Sequence, residues 1–297
     1  MEANWHRHYF SIADHRVGVF FREGQTNDLA LIPSYEPFRT TEEDCVMVME
    51  VDDTLHPVPK EQRSRIRVFD TGNGDTAVDR LEDGGYQFII KDIRGRACCL
   101  LIADKAFAHC RCALNGDGMM RSFGLNSALM LAYAFATGGR QTLLIHASLV
   151  RHQGRGYAFV AKSGTGKSTQ VAMWLQCIPG CDLMNDDNPV VRVIDGEAMI
   201  YGSPWSGKTP CYRQVKAPLG AITQIDRAPA NSVDRLSPLQ ALAILLPSCS
   251  SMKWDERLHG QVCDTMSEVI GLTPIYMLHC LPNEEAARVC CRAIAKE

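Results

Sequence analysis

Residues able to do chemistry are concentrated in one segment, Gly156-Tyr-Ala-Phe-Val-Ala161-Lys-Ser-Gly-Thr-Gly-Lys-Ser-Thr169. An apolar run of strand character gives way to small residues, and Lys167 and Ser168 then open a helical pattern. Backbone N–H groups converge on a triphosphate only where side chains are small or absent, as at Gly164 and Gly166, with the positive end of a helix beneath them. Ser163, Gly164, Thr165, Gly166, Lys167, Ser168 and Thr169 are therefore the expected nucleotide-binding residues. Lys167 would neutralise the β- and γ-phosphates, and the Ser168 hydroxyl would ligate magnesium.

The segment departs from the strict G-x-x-x-x-G-K-[ST] pattern in one place, because Ala161 stands at the first glycine. A strict match occurs later, at Gly202-Ser-Pro-Trp-Ser-Gly-Lys-Thr209. Pro204 and Trp205 deny the close backbone approach that a phosphate cradle requires, and Pro210 is not followed by an evident helix. This second segment is expected to be a surface loop, with a substrate-side role for Lys208 as the alternative.

Two adjacent carboxylates, Asp186 and Asp187, follow a short apolar stub 19 residues after Lys167. That interval accommodates one helix and a return strand, so the pair can sit beside the loop. Near a triphosphate one aspartate can hold magnesium while the other accepts a proton from an attacking hydroxyl. Adjacent aspartates also occur in plain turns. His146 ends an apolar run just before the loop; a histidine there is commonly structural, but strand pairing would bring it to the phosphates or to an aspartate.

Around these residues the chain changes character. From Tyr9 to about Cys112 short apolar runs (Val17 to Phe21, Val46 to Val51, Ile66 to Phe69, Tyr86 to Ile90, Ala97 to Ile102) alternate with turns such as Asp70 to Asp75 and Glu82 to Gly85, which predicts a β-rich domain over residues 1–115. A buried helix from Met119 to Ala136, ended by Gly138-Gly139, opens a mixed α/β domain over 116–297. Strands are expected at Thr142 to His146, Tyr157 to Ala161, near Leu183, at Val190 to Ile194 and at Ala221 to Ile225. Helices are expected from Lys167 to Cys177, from Leu239 to Leu246 behind Ser237-Pro238, and from Glu284 to Lys296 behind Asn283, with a strand at Ile275 to Cys280 between the last two.

With 31 Lys plus Arg against 34 Asp plus Glu, the net charge of −3 attracts neither nucleic acid nor anionic membranes, so any phosphate must be held locally. No export signal opens the chain and no apolar run is long enough to span a bilayer, so a cytoplasmic location is expected. The 13 cysteines include no CxxC pair; His109-Cys110-Arg111-Cys112 and the doublets Cys98-Cys99 and Cys290-Cys291 point to opposite faces, which favours reduced core residues over a metal site.

Taken together, His146-Ala-Ser148, Lys162-Ser-Gly-Thr-Gly-Lys-Ser-Thr169 and Asn185-Asp-Asp-Asn188 resemble, in order and spacing, the C-terminal catalytic domain of HPr kinase/phosphorylase and, more distantly, phosphoenolpyruvate carboxykinase. The likeness runs from about Gly118 to the C-terminus. It implies a phosphoenolpyruvate carboxykinase-like P-loop α/β fold, with His146, Lys167 and Asp186 as catalytic residues and Ser168 as a magnesium ligand. Bacterial HPr kinases add a metal-binding glutamate in a Glu-Ile-Arg-Gly stretch, and Arg213 to Gly220 here contains no acid, so the resemblance implies either that Asp187 serves instead or that turnover is weak. The resemblance is closer to HPr-kinase-like proteins of peptide-modification clusters, some of which phosphorylate a peptide serine, and the Gly202 to Gly207 loop is similar to one of theirs. It implies ATP or GTP with magnesium, a peptide or protein hydroxyl as phosphoacceptor, and leaves a homo-oligomer open, since HPr kinases form rings. A catalytically weak nucleotide-binding switch is the competing expectation, and a decarboxylating carboxykinase ranks below both.

Overall fold

Alternating apolar residues and glycine-bearing turns build the first of two units, Met1–Thr137; the second is Gly138–Glu297. The structure is a computed structural model and describes residues 4–162, 164–207 and 209–295. It is a mixed α/β protein with two large sheets. No helix among the described residues is long and apolar enough to cross a membrane.

The first unit contains β1 (Trp5–Ile12), β2 (His15–Arg22), β3 (Arg39–Thr40), β4 (Met47–Val51), β5 (Arg63–Asp70), β6 (Asp75–Leu81), β7 (Tyr86–Lys91), β8 (Ala97–Ala103) and β9 (His109–Leu114). They form one sheet in the order β3-β1-β2-β4-β9-β8-β7-β6-β5. The expected breaks turn β5 into β6 through Gly72 and Gly74 and β6 into β7 through Gly84, at φ of 81°, 141° and 85°, which glycine adopts without steric cost.

Helix α1 (Gly118–Thr137) packs on β8 and β9. The approach is close at Gly124, where a Cβ would stand 2.8 Å from the Cys98 carbonyl oxygen. The change of composition near residue 115 thus marks the start of a helix that belongs with the first sheet, and the compact units divide after it, at Thr137. All 13 cysteines are free thiols. Burial pushes Cys110 up and takes Cys249 to about 12, as befits protonated core residues.

The second unit holds β10 (Thr142–Leu144), β11 (Ala147–His152), β12 (Arg155–Val160), β13 (Asp182–Asp187), β14 (Val190–Ile194), β15 (Glu197–Tyr201), β16 (Lys216–Arg227), β17 (Ser232–Arg235) and β18 (Ile275–Cys280). Its helices are α2 (Lys167–Cys177), α3 (Pro238–Ser248), α4 (Glu256–Leu272) and α5 (Glu284–Ile294). The sheet order is β10-β14-β15-β16-β12-β11-β13, with β18 also on β16 and β17 on β18. Helix α4 and strands β11, β15 and β17 are additions to the elements expected from sequence.

Period-two alternation divides each central strand between two cores. In β12, Ala158 and Val160 join Ala241 and Leu245 of α3 and Val262, Met266 and Val269 of α4. Tyr157 and Phe159 instead join Val171 and Trp174 of α2 and Ala286, Ala287 and Cys290 of α5. The sheet therefore lies between two helical layers. Asn283 caps α5 by accepting from Ala286 N at 3.0 Å, as its position before two glutamates predicts.

Strand β13, which delivers the aspartate pair, is tied at its start by Asp182. Arg151 of β11 donates to both its carboxylate oxygens at 2.9 Å, and Arg213 adds a third bond at 2.6 Å. Burial works against the charged form, but the two guanidinium groups outweigh it and hold the Asp182 carboxyl below its ordinary range. A depressed folded pKa contributes stability above the unfolded value near ~3.9 and loses it as pH falls through the folded value. Asp182→Asn should therefore cost up to ~1 kcal/mol at neutral pH, because the pair is partly exposed. Denaturant titrations of wild type and variant should converge as pH drops below about 4; a gap independent of pH would refute the ion-pair account.

Candidate functional site

The glycine-bearing segment expected to hold phosphate lies between β12 and α2. Val160 ends the strand, Thr165 N donates to Lys162 O at 3.1 Å, and Gly166 caps α2, its carbonyl accepting from Gln170 N at 2.9 Å. Gly164 and Gly166 take φ of 77° and 130°, which a side chain would resist. Ala161 belongs to the same apolar cluster as Val171 and Trp174, which gives a physical reason for alanine at the pattern's first glycine. Trp174, fully buried, locks α2 to the sheet with ring centroids 5.5 Å from both Tyr157 and Phe159. Ser168 and Thr169 are exposed on the first turn of α2. Ser163 lies outside the described residues.

His146 does not end a strand. β10 stops at Leu144, Ile145 bridges Cys249, and His146 N donates to Ser248 O at 2.7 Å before β11 begins at Ala147. The chain changes partners here, from β14 to β12 and β13, and this break leaves the imidazole half-exposed at the strand ends. Ala147 pairs with Val160 on one side and Asp187 on the other, so β11 brings the loop and the aspartates together.

A continuous polar chain results. Lys167 Nζ lies 2.8 Å from His146 Nε2 and 3.1 Å from Ala161 O, and His146 Nδ1 lies 3.0 Å from Asp187 Oδ1. An ammonium only donates, so Nε2 accepts and Nδ1 carries the proton towards Asp187. Burial pushes the Lys167 pKa down, while the charges of Asp187 and Asp186 act in the other direction. Asp187 sits at φ 144°, a strained value for a residue with a side chain, and its second oxygen accepts from Asn188 Nδ2 at 2.6 Å.

Asp186 is 4% exposed, accepts from Ser148 Oγ at 2.6 Å and receives Thr209 N at 3.2 Å. Its orientation depends on a bulge. Leu149 faces Asn185 but Val150 faces Leu183, so Met184 is an extra residue in β13.

The segment from Gly202 to Thr209 is not a surface loop over its first half. Gly202, Ser203, Pro204 and Trp205 are buried, and Asn185 Nδ2 donates to Ser203 O, Ser203 Oγ and Trp205 O at 3.2 to 3.3 Å. Ser206 Oγ and Gly207 N both reach Asp186 O. The segment is thus a wall of the aspartate site, and its glycines serve close packing. No helix follows it, in keeping with its rejection as a phosphate loop. Lys208 lies outside the described residues.

Two side chains at the site had no role from sequence. Ser148 stands two residues after His146 on β11, a spacing that places it on a definite strand face once β11 is assigned. Arg227 donates to the carbonyls of Gly164 and Thr165 from the far end of β16, and no local signal marks it. Among the described residues no three or more His, Cys, Asp or Glu side chains form a metal cage. Ser168 and Asp187 carry hard oxygens, a set that would fit magnesium were a triphosphate bound there, since that ion draws most ligands from phosphate and water.

No family model matches the chain, and no curated protein sequence matches it. Among solved structures it is similar to the Hpr(Ser) kinase/phosphatase from Coxiella burnetii, at 9% identity and a TM-score of 0.30, over 51% of this chain and 92% of that one. The relation is weak and one of structure alone.

At Gly202 a Cβ would land on the Arg213 carbonyl oxygen and within 3.0 Å of Met184 O, both backbone atoms. Gly202→Ala should lower unfolding free energy by about 2 kcal/mol, the cost of overpacking. An unchanged denaturation midpoint would show that the wall is not tightly held.

Proposed function

We propose that the chain is a magnesium-dependent kinase that binds a nucleoside triphosphate at residues 163–169 and transfers its γ-phosphate to a hydroxyl, that of a serine or threonine in a peptide or protein. The observation that carries this reading is the convergence of Lys167, His146 and Asp187 in one hydrogen-bonded chain at the mouth of a glycine loop, with Asp186 adjacent in β13. Three separate stretches of chain are spent on bringing them together. The motif resemblance to the HPr kinase catalytic domain points to the same class, and to a phosphoenolpyruvate carboxykinase-like fold for the second unit.

In this reading the N–H groups that open α2 hold the phosphates, and Lys167 moves from His146 to the β- and γ-oxygens. Ser168 and Asp187 would hold magnesium, which supplies charge neutralisation across those phosphates. The acceptor oxygen forms its bond to γ-phosphorus as the bond to the bridging oxygen breaks, the nucleoside diphosphate leaves, and the hydroxyl proton passes to Asp186. Ser148 and Thr209 N fix that carboxylate in place. Positioning and electrostatics supply most of the rate.

A second reading, a nucleotide-binding switch with weak or no transfer, draws support from the same carboxylate. Both Asp186 oxygens already accept hydrogen bonds from the protein, and Arg213, at the start of the stretch without an acid, is committed to Asp182.

Calorimetric titration of ATP with magnesium, followed by γ-phosphate release on the same samples, separates the two. Lys167→Ala should weaken ATP binding at least tenfold under either reading, since it removes a charge-assisted contact of about 1.5–3 kcal/mol. Asp186→Asn should retain binding and lose transfer by roughly 100-fold or more if Asp186 is the base. Transfer that survives in Asp186→Asn removes the base assignment, binding without turnover in wild type selects the switch, and no binding by wild type defeats the proposal.

A further inference from the structure

Arg227 closes β16, the strand that runs parallel to β12, and its guanidinium reaches the outer side of the phosphate-loop segment. Nη2 donates to Gly164 O at 2.7 Å and Nε to Thr165 O at 3.1 Å. One planar cation therefore grips two consecutive carbonyls across 62 residues of chain.

In a trans peptide the carbonyl of one residue and the N–H of the next point in opposite directions. Holding Gly164 O aims Thr165 N away from Arg227, and that N–H closes the turn onto Lys162 O at 3.1 Å. Fixing Thr165 O likewise aims Gly166 N away from Arg227. Gly166 is the residue that caps α2 at φ 130°. Without the guanidinium, two adjacent glycine-flanked peptides lose their external restraint, and residues of this kind have the largest conformational freedom to regain.

We infer that Arg227 is a positioning residue for the phosphate loop: it sets the two peptide planes on either side of Thr165, so that the turn onto Lys162 O is closed and the Gly166 N–H leading into α2 is already aligned when a triphosphate arrives. The inference rests on the nucleotide-binding reading of residues 163–169. Arg227 acts from behind the loop and touches its carbonyls, so its contribution is preorganisation of the backbone donors. Asp226, its neighbour, is engaged elsewhere, with His279 Nδ1 at 3.0 Å, which fixes the end of β16 to β18 and gives the guanidinium a rigid base.

The test uses the full chain as wild type, Arg227→Ala and Arg227→Lys, with calorimetric ATP and magnesium titration, thermal unfolding without nucleotide, and hydrogen exchange of the amides in residues 162–169. Arg227→Ala should raise the ATP dissociation constant about tenfold, the equivalent of one charge-assisted hydrogen bond. Arg227→Lys, able to bond one carbonyl at a time, should fall between. Loop amides should exchange faster in the nucleotide-free alanine variant while the thermal midpoint stays within about 2 °C, because Arg227 is exposed and buries no apolar surface in the core. ATP binding within twofold of wild type in Arg227→Ala, with unchanged exchange, overturns this inference and leaves the nucleotide-binding reading intact. A general fall in thermal midpoint that accounts for the lost affinity makes Arg227 structural and overturns it too. Wild type that binds no ATP defeats both together.

Discussion

The face on which Asp186 emerges depends on one extra residue in β13. Leu183 packs towards α2 and α5 and Met184 towards α3 and α4, so strict alternation would send Asn185 to the α2 side and Asp186 to the opposite one. The bulge at Met184 returns the alternation by one step: Asn185 stays on the side of Leu149, and Asp186 comes up opposite Ser148, on the face where α2 starts. Everything polar at the site follows. Ser148 can reach the carboxylate, Asp187 lands beside His146, and Asn185 becomes a buried hub for the Ser203 to Trp205 wall.

Much of the second unit was legible because its signals are local. A glycine loop before a lysine, the caps at Ser237 and Asn283, and the apolar runs of β12, β14 and β18 are each contained within about ten residues, and each element stands where its pattern places it. The first sheet was partly legible for the same reason, since its turns announce themselves through glycine and aspartate. What escaped notice depends on tertiary partners. Helix α4 carries only a thin apolar stripe, Leu258, Val262, Met266 and Val269, amid polar residues, and it becomes recognisable through the layer it covers. The stretch from Gly202 to Trp205 has loop composition, yet it is buried because Asn185 satisfies the Ser203 and Trp205 carbonyls.

His146 illustrates a subtler miss. Its apolar neighbours suggest the end of a strand, but the residue occupies the point where the chain leaves one pairing partner for another. A backbone in transition between ladders has fewer constraints on side-chain direction, and the imidazole uses that freedom to lie between an ammonium and a carboxylate. The result is a hydrogen-bonded chain whose direction is set by the lysine: the cation fixes which nitrogen accepts, and the carboxylate accepts a hydrogen bond from the other.

Strand β16 has a further mechanical meaning. Its twelve residues span about 40 Å. Three residues before its start in sequence is Arg213, bonded to Asp182, and its last residue is Arg227, bonded to the carbonyls of Gly164 and Thr165. An extended strand paired to neighbours along its length behaves as an inextensible strut, so the two flanks of the site share one rigid member. Pairing with β12, β15 and β18 along β16 holds these two attachments at a set separation.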